Sequence, residues 1–112
     1  MYSKFSEQAK RIVLRSHRYS VNQKEYVVGT EYLLLSLFNE KKSSCEILLQ
    51  EAGITEEKII KEIATINVFR KTIPGLIIYT PKYHLIITKS LNIYKKTKAN
   101  YVYEEHIFFA LL

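Results

Sequence analysis

The feature that most constrains the fold is an internal repeat. Shifting the sequence by 74 residues aligns one stretch with another, without a gap, from Phe5 to Phe38. Matched pairs are Phe5-Ser6 with Tyr79-Thr80, Ile12-Val13 with Ile86-Ile87, Ser16 with Ser90, Val27-Val28 with Tyr101-Val102, Glu31 with Glu105, and Leu33–Leu37 with Ile107–Leu111. Such a repeat predicts two packed copies of one structural unit.

Capping residues and apolar spacing predict that the unit is helical. The first copy carries four helix starts, at Ser6, at Thr30 with Glu31 in the first turn, at Ser43 or Ser44, and at Thr55. Their predicted buried positions are Phe5, Ala9, Ile12, Val13, Ser16, Leu33, Leu34, Leu37, Phe38, Cys45, Leu48, Leu49, Ile59, Ile60, Ile63 and Ile66. Asn22–Val28 is predicted to be a connector.

The second copy is shorter than the first. Pro74-Gly75 interrupts the pattern, and Thr80-Pro81 restarts a helix. We therefore expect one domain over 1–112, with repeat one at 1–67, a linker at 68–78 and a partial repeat two of about two helices at 79–112. Its last five residues, 108–112, are all apolar. We therefore expect either that the chain is a piece of a longer protein, or that a partner or self-association through this truncated repeat covers that face.

The composition argues against an active site. All eleven acids are Glu, and there is no Asp, which excludes Asp-based triads and dyads. Cys45 is the only cysteine, so an intramolecular disulfide and a cysteine zinc cluster are excluded. His17, His84 and His106 lack metal-ligand spacing, and the three glycines are isolated, so there is no phosphate-binding loop. We expect no catalytic residue, metal or cofactor.

The sequence shows neither a secretory signal nor an apolar run of about 20 residues, which a membrane span requires. Together with the free cysteine, this favours a reducing compartment, either the cytoplasm or an organelle stroma.

The positive charge is concentrated in one stretch. Net charge is +6, from 17 Lys+Arg against 11 Glu, and no acid occurs between Glu62 and Glu104. A basic stretch of this kind leaves a helical nucleic-acid-binding protein as one alternative, although no nucleic-acid-binding motif accompanies it.

Two paired motifs carry a family resemblance. The first pair is Phe5–Ala9 with Val28–Leu35, and the second is Tyr79–Pro81 with Tyr101–Ile107. These resemble the duplicated N-terminal domain of the Clp ATPases, most of all the ClpC type, which reads F-T-E-x-A with G-T-E-H and then Y-T-P-R-A with G-T-E-H. The resemblance covers the whole chain and implies an all-α fold of tandem Clp-N repeats, the first with four helices and the second with about two.

The resemblance also implies a function. In this family the domain is not an enzyme; it receives adaptor proteins and protein substrates for the ATPase ring, which passes them to a ClpP-type protease. In a parent protein the ATPase modules would lie outside this chain. A free-standing accessory regulator of a Clp protease is a further alternative, and the reading frame beyond Leu112 would distinguish the two.

The resemblance to the ClpC type also implies a domain that reads phosphoarginine, in a pocket to which the Glu of each G-T-E motif contributes. Carried over, the first site is Gly29, Thr30 and Glu31, and the second contributes Glu105. A carboxylate suits the guanidinium fork, and helix-start N–H groups suit phosphate. The alternative is that Thr30 and Glu31 only cap and charge the helix start. The second motif departs from the pattern, with Tyr103-Glu104 replacing Gly-Thr. Because the added charge of Glu104 would repel phosphate, we do not expect this copy to read phosphoarginine, although Glu105 itself is retained.

Overall fold

The computed structural model describes residues 2–70, 73 and 75–112. Lys71 and Pro74, from the predicted basic stretch and loop, lie outside these ranges. The described part contains helices α1 (Glu7–Asn22), α2 (Thr30–Phe38), α3 (Ser44–Glu51), α4 (Glu56–Val68), α5 (Pro81–Thr97) and α6 (Glu104–Leu111), with short strands β1 (Val27–Val28) and β2 (Ile78–Tyr79). The predicted all-α fold is confirmed.

Four of the predicted helix starts have a side-chain cap. Ser6 Oγ accepts a hydrogen bond from the Ala9 N–H at 3.1 Å. The equivalent oxygens of Ser43, Thr55 and Thr80 do the same for α3, α4 and α5. These interactions satisfy N–H groups that have no acceptor within the helix.

The start of α2 differs from the prediction. Gly29 occupies the N-cap position and Thr30 is the first helical residue, so the prediction that Thr30 caps this helix is wrong. The β-strand also begins inside the predicted connector, and α1 continues through Asn22. Two-residue strands are too short to produce a periodic sequence signal.

The backbones of the two copies pair with each other reciprocally. Val28 of the first copy pairs in parallel with Tyr79 of the second, and Phe5 of the first pairs with Val102 of the second. The hydrogen bonds show the same reciprocal pairing, since the Ser6 N–H donates to the Val102 carbonyl at 2.9 Å. The Thr80 N–H donates to the Val28 carbonyl at 3.1 Å. Because these positions match in the repeat, the copies are related by an approximate two-fold axis.

The apolar faces form two clusters. The larger joins both copies and contains Phe5, Ala9, Ile12, Val28, Leu33, Leu37, Cys45, Tyr83, Ile86, Ile87, Val102, Ile107 and Ala110. The smaller lies between α2 and α4 and contains Tyr32, Leu35, Phe38, Ile59 and Ile63. Leu48 and Ile60 were predicted to be buried, but they are 51% and 49% exposed. Their helices α3 and α4 lie at the edge of the bundle and bury only one narrow face.

The end of the second copy carries exposed apolar side chains. Phe109 is 54% exposed and Leu112 is 83% exposed. Their counterparts in the first copy, Leu35 and Phe38, are 7% and 6% exposed because they pack in the cluster with α4. This difference is the physical basis of the predicted self-association, which stays a prediction.

Candidate functional site

The candidate site lies at the start of α2, where β1 ends. Gly29 is buried and extended, with φ −103° and ψ 177°, and makes no side-chain cap. The first backbone N–H groups of the helix therefore lack the hydroxyl acceptor found at four other helix starts. Uncapped N–H groups at the positive end of a helix dipole can bind an anion.

The Glu31 carboxylate is paired with a guanidinium from the same chain. Arg70, just after α4, donates from Nη1 to Glu31 Oε1 and from Nη2 to Oε2, the latter at 3.3 Å. The side chains are 21% exposed for Arg70 and 10% for Glu31. The sequence pattern did not identify Arg70 as a site residue, because its partner is 39 positions away.

Gly29 provides the space for this pair. A β-carbon placed on Gly29 would overlap both Glu31 carboxylate oxygens and Arg70 Nη2. Any residue can adopt the backbone angles at Gly29, so the requirement for glycine comes from steric crowding at the position of a β-carbon. Gly29, Glu31 and Arg70 thus form one unit, which we call the Glu31 cradle.

The second predicted site has a different structure. Tyr103 occupies the Gly29 position, Glu105 is exposed, and Glu104 is buried. Ser44 Oγ, at the start of α3, lies 3.4 Å from one carboxylate oxygen of each of Glu104 and Glu105. Among the described residues, no cation pairs with either carboxylate. Glu105 therefore does not reproduce the environment of Glu31.

Glu104 is a buried carboxyl without full hydrogen bonding. It is 4% exposed, and its Oε2 atom has no hydrogen-bond partner among the described residues. Burial, and then the charge of Glu105, raise the pKa of Glu104. A raised native-state pKa means that the charged form is destabilised by the fold.

Replacing Glu104 by glutamine is expected to stabilise the domain at neutral pH by about 1 kcal/mol. In the native state Glu104 binds its proton more tightly than in the unfolded chain. The contribution of the protonated Glu104 carboxyl to the free energy of unfolding is therefore fully present at low pH, and it is lost as pH rises through the raised pKa. Urea unfolding of both proteins near pH 5 and near pH 8 should show a larger gain at the higher pH. An equal effect at both pH values would contradict the assignment.

The remaining predicted residues are mostly structural. Cys45 is 1% exposed, and burial, followed by the charges of Glu104 and Glu105, raises its pKa to about 12. A thiol with this pKa stays protonated and is a poor nucleophile. His106 is buried and accepts a hydrogen bond from the Tyr103 N–H at 2.9 Å. Burial lowers its pKa.

The aromatic residues of the basic half are partly packed and partly exposed. Tyr83 is 1% exposed, Tyr79 packs against the larger cluster, and Tyr101 is 49% exposed. His84 lies on the surface, whereas His17 is half-buried and hydrogen bonds to the Tyr79 hydroxyl. That contact joins the two copies.

The charged groups of the two motifs remain apart. Within the described ranges, Glu31 pairs with Arg70 and Glu105 contacts Ser44, and no hydrogen bond or ion pair joins the two motifs. Exposed lysines lie along α5 and at the residue after it, namely Lys82, Lys89, Lys95, Lys96 and Lys98. They form a solvated basic surface on the second copy.

Two grooves open on the surface. The larger, about 630 Å³, lies among α1, α2 and α4 and is lined in part by Tyr32, Ile63 and Asn67. The smaller, about 430 Å³, lies between the copies and is lined by Tyr2, Lys10, Val13, Leu14, His17 and Tyr79. Two residues of the larger groove's lining are linked to the Glu31 cradle through the backbone: Tyr32 follows Glu31 in the chain, and the Arg70 N–H donates to the Asn67 carbonyl at 3.2 Å.

Other classes of site find no support in the described part of the chain. It contains no cluster of three or more His, Cys, Asp or Glu side chains able to hold a metal ion. None of its helices combines the length and apolarity needed to cross a bilayer.

Sequence comparison identifies the family. The model of the "Clp repeat (R) N-terminal domain" matches residues 4–112. The chain belongs to the Clp repeat N-terminal domain family. This family is the N-terminal domain of Clp ATPases, distinct from their ATPase modules.

Individual relatives agree with this assignment. The chain is 28% identical over 112 residues to the "ATP-dependent Clp protease ATP-binding subunit ClpC" of Staphylococcus aureus strain USA300. The alignment covers all of this chain and 14% of that protein. ClpC of Staphylococcus saprophyticus matches with the same identity and coverage. The Clp repeat domain described here thus spans about a seventh of these relatives.

Solved structures show the same fold. The N-terminal domain of ClpD from Arabidopsis thaliana superposes with a TM-score of 0.77 at 19% identity, covering 99% of this chain and 77% of that one. The Hsp104 N-terminal domain from Candida albicans gives a TM-score of 0.77 at 18% identity, covering 97% and 73%.

Proposed function

We propose that this Clp repeat domain is a non-enzymatic receptor for adaptor proteins and protein substrates of a ClpC-type unfoldase. In this proposal the parent ATPase unfolds the captured protein and passes it to a ClpP-type protease. The family membership and the ClpC relatives support the general role. The two grooves offer surfaces on which a protein chain could lie.

The finer part of the proposal is that the Glu31 cradle reads phosphoarginine. The single observation that carries it is the arrangement of Glu31 itself, whose two carboxylate oxygens both accept hydrogen bonds from a guanidinium. A carboxylate held this way, beside uncapped helix N–H groups, matches the two halves of a phosphorylated guanidine. Thr30, as the first helical residue, would contribute its N–H and hydroxyl to the phosphate.

Glu31→Ala is expected to weaken phosphoarginine binding by about 10- to 100-fold, because a bidentate charge-assisted contact is lost. Isothermal titration of a phosphoarginine peptide into both proteins measures the effect. Glu105→Ala tests the second motif, and it should change affinity little because Glu105 holds the equivalent repeat position but is exposed. Glu57→Ala, which removes an exposed acid from the first turn of α4, is the matched control.

Equal binding by the parent protein and Glu31→Ala, or no binding by either, would reject the phosphoarginine reader. Adaptor docking would then remain as the proposed function, because it does not depend on Glu31. Urea unfolding of Glu31→Ala must accompany the titration, so that loss of binding is separated from loss of fold.

A further inference from the structure

The Glu31 cradle already contains a guanidinium, supplied by Arg70 of the same chain. Each terminal nitrogen of Arg70 donates to a different oxygen of the Glu31 carboxylate. This fork-to-fork arrangement uses the edge of the carboxylate that an incoming arginine-type side chain would need. Two guanidinium groups cannot occupy that edge together.

We propose that Arg70 is an internal competitor that occupies the Glu31 cradle and must leave before a guanidinium-bearing ligand can bind. This inference rests on the proposed phosphoarginine-reading function and adds its regulation. The free domain is then an equilibrium between a closed state, with Arg70 paired to Glu31, and an open state. The apparent dissociation constant equals the intrinsic one divided by the open fraction.

Arg70 is well placed to leave. It follows Phe69, the C-cap residue of α4, and the preceding Val68 and Phe69 are 77% and 84% exposed. Among the described residues, Glu31 is the one hydrogen-bond partner of its guanidinium. Releasing the side chain therefore breaks one ion pair and uncovers Gly29, over which the guanidinium lies.

A second arginine shows how a structural pair differs. Arg15 donates to the Ser36 carbonyl at 2.9 Å and to the Glu40 carboxylate at 2.7 Å. It is thus held by two acceptors, and its carboxylate partner is also shared with Arg11. Arg70 has neither a second acceptor nor a shared partner among the described residues.

The end of α4 has an anchor that does not involve Arg70. Asn67 Nδ2 donates to the Tyr32 hydroxyl at 3.0 Å, which joins α4 to α2. Ile63 adds an apolar contact from the smaller cluster. We therefore expect α4 to remain docked when the Arg70 side chain is removed, so an Arg70 variant can be tested in the folded domain.

The test is titration of a phosphoarginine peptide, and of the same peptide with unmodified arginine, into five proteins. These are the parent domain, Arg70→Ala, Arg70→Lys, Arg18→Ala and the double variant Arg70→Ala with Glu31→Ala. Arg18 is exposed on α1, so its removal controls for the loss of one positive charge. Thermal unfolding of each variant shows that it is folded.

Arg70→Ala is expected to bind the phosphoarginine peptide about tenfold more tightly than the parent domain, because the closed state no longer competes. Arg70→Lys should fall between them, since an ammonium ion pairs with Glu31 without the fork. Arg18→Ala should match the parent domain. Combining Arg70→Ala with Glu31→Ala should abolish the gain.

The outcomes separate the inference from the function on which it rests. Phosphoarginine binding that is unchanged or weakened in Arg70→Ala overturns the competitor and leaves the reader standing; a weakening would make Arg70 a phosphate ligand. No binding by any protein rejects the reader and the competitor together. Equal tightening for both peptides supports the competitor but shows that the cradle reads guanidinium without phosphate.

Discussion

Replacing Glu40 by alanine is expected to lower the free energy of unfolding by about 2–4 kcal/mol. Glu40 follows α2, its side chain is 7% exposed, and it pairs with Arg11 and Arg15 of α1. Removing it would leave the Arg15 guanidinium, 21% exposed, without its charge partner. The estimate is reduced from that of a fully buried pair because Arg11 is 56% exposed.

The same group should make stability depend on acid. Burial raises the pKa of Glu40, but hydrogen bonds from Arg11 and Arg15 outweigh it, so that the pKa is below its usual value. The stabilisation is therefore present above the ordinary carboxyl range and is lost as pH falls through the lowered pKa. Urea unfolding measures both effects.

Glu57→Ala is the matched control for Glu40→Ala. Glu57 is exposed in the first turn of α4, so its removal should change stability by about 0.5 kcal/mol or less. A Glu40 variant as stable as this control would show that the pair with α1 contributes nothing to the fold. The acid dependence attributed to Glu40 should also disappear in Glu40→Ala.

Tyr83→Ala is expected to cost about 3–5 kcal/mol, the range for removing a large buried side chain. Tyr83 is 1% exposed in the larger cluster, and its hydroxyl lies 2.8 Å from Ser16 Oγ of the first copy. Tyr83→Phe should cost only about 1 kcal/mol, because the ring remains and the Ser16 hydroxyl keeps its hydrogen bond to the Val13 carbonyl.

The control for this pair is Tyr101→Ala, since Tyr101 is 49% exposed. Its removal should change the free energy of unfolding by less than about 1 kcal/mol. If Tyr83→Ala cost no more than Tyr101→Ala, the larger cluster would not depend on the second copy. The two copies would then be separate units, contrary to the shared core.

Sequence reasoning recovered the helices because their signals are local. Ser6, Ser43, Thr55 and Thr80 each cap a helix by bonding to an N–H three residues away. Apolar spacing likewise identified buried faces within each helix. It overestimated burial at Leu48, because periodicity shows which residues share a face, while a neighbouring element decides whether that face is covered.

The candidate site was recovered in part. The resemblance located Gly29, Thr30 and Glu31, and the structure places them together at the start of α2. It gave no indication that Arg70 pairs with Glu31, because an ion pair across 39 residues leaves no local pattern. The binding roles of these residues, and of Glu105, stay predictions.

The sequence alone determined the duplication, the helical class and the family, because repeat spacing, caps and apolar periodicity are properties of neighbouring residues. Tertiary structure decided how the two copies contact each other, through the parallel pairing of Val28 with Tyr79 and of Phe5 with Val102. It also decided the state of the acids, since Glu31 is paired, Glu104 is buried and Glu105 is exposed. The environment of a carboxylate depends on groups distant in the chain, and only folding brings them to it.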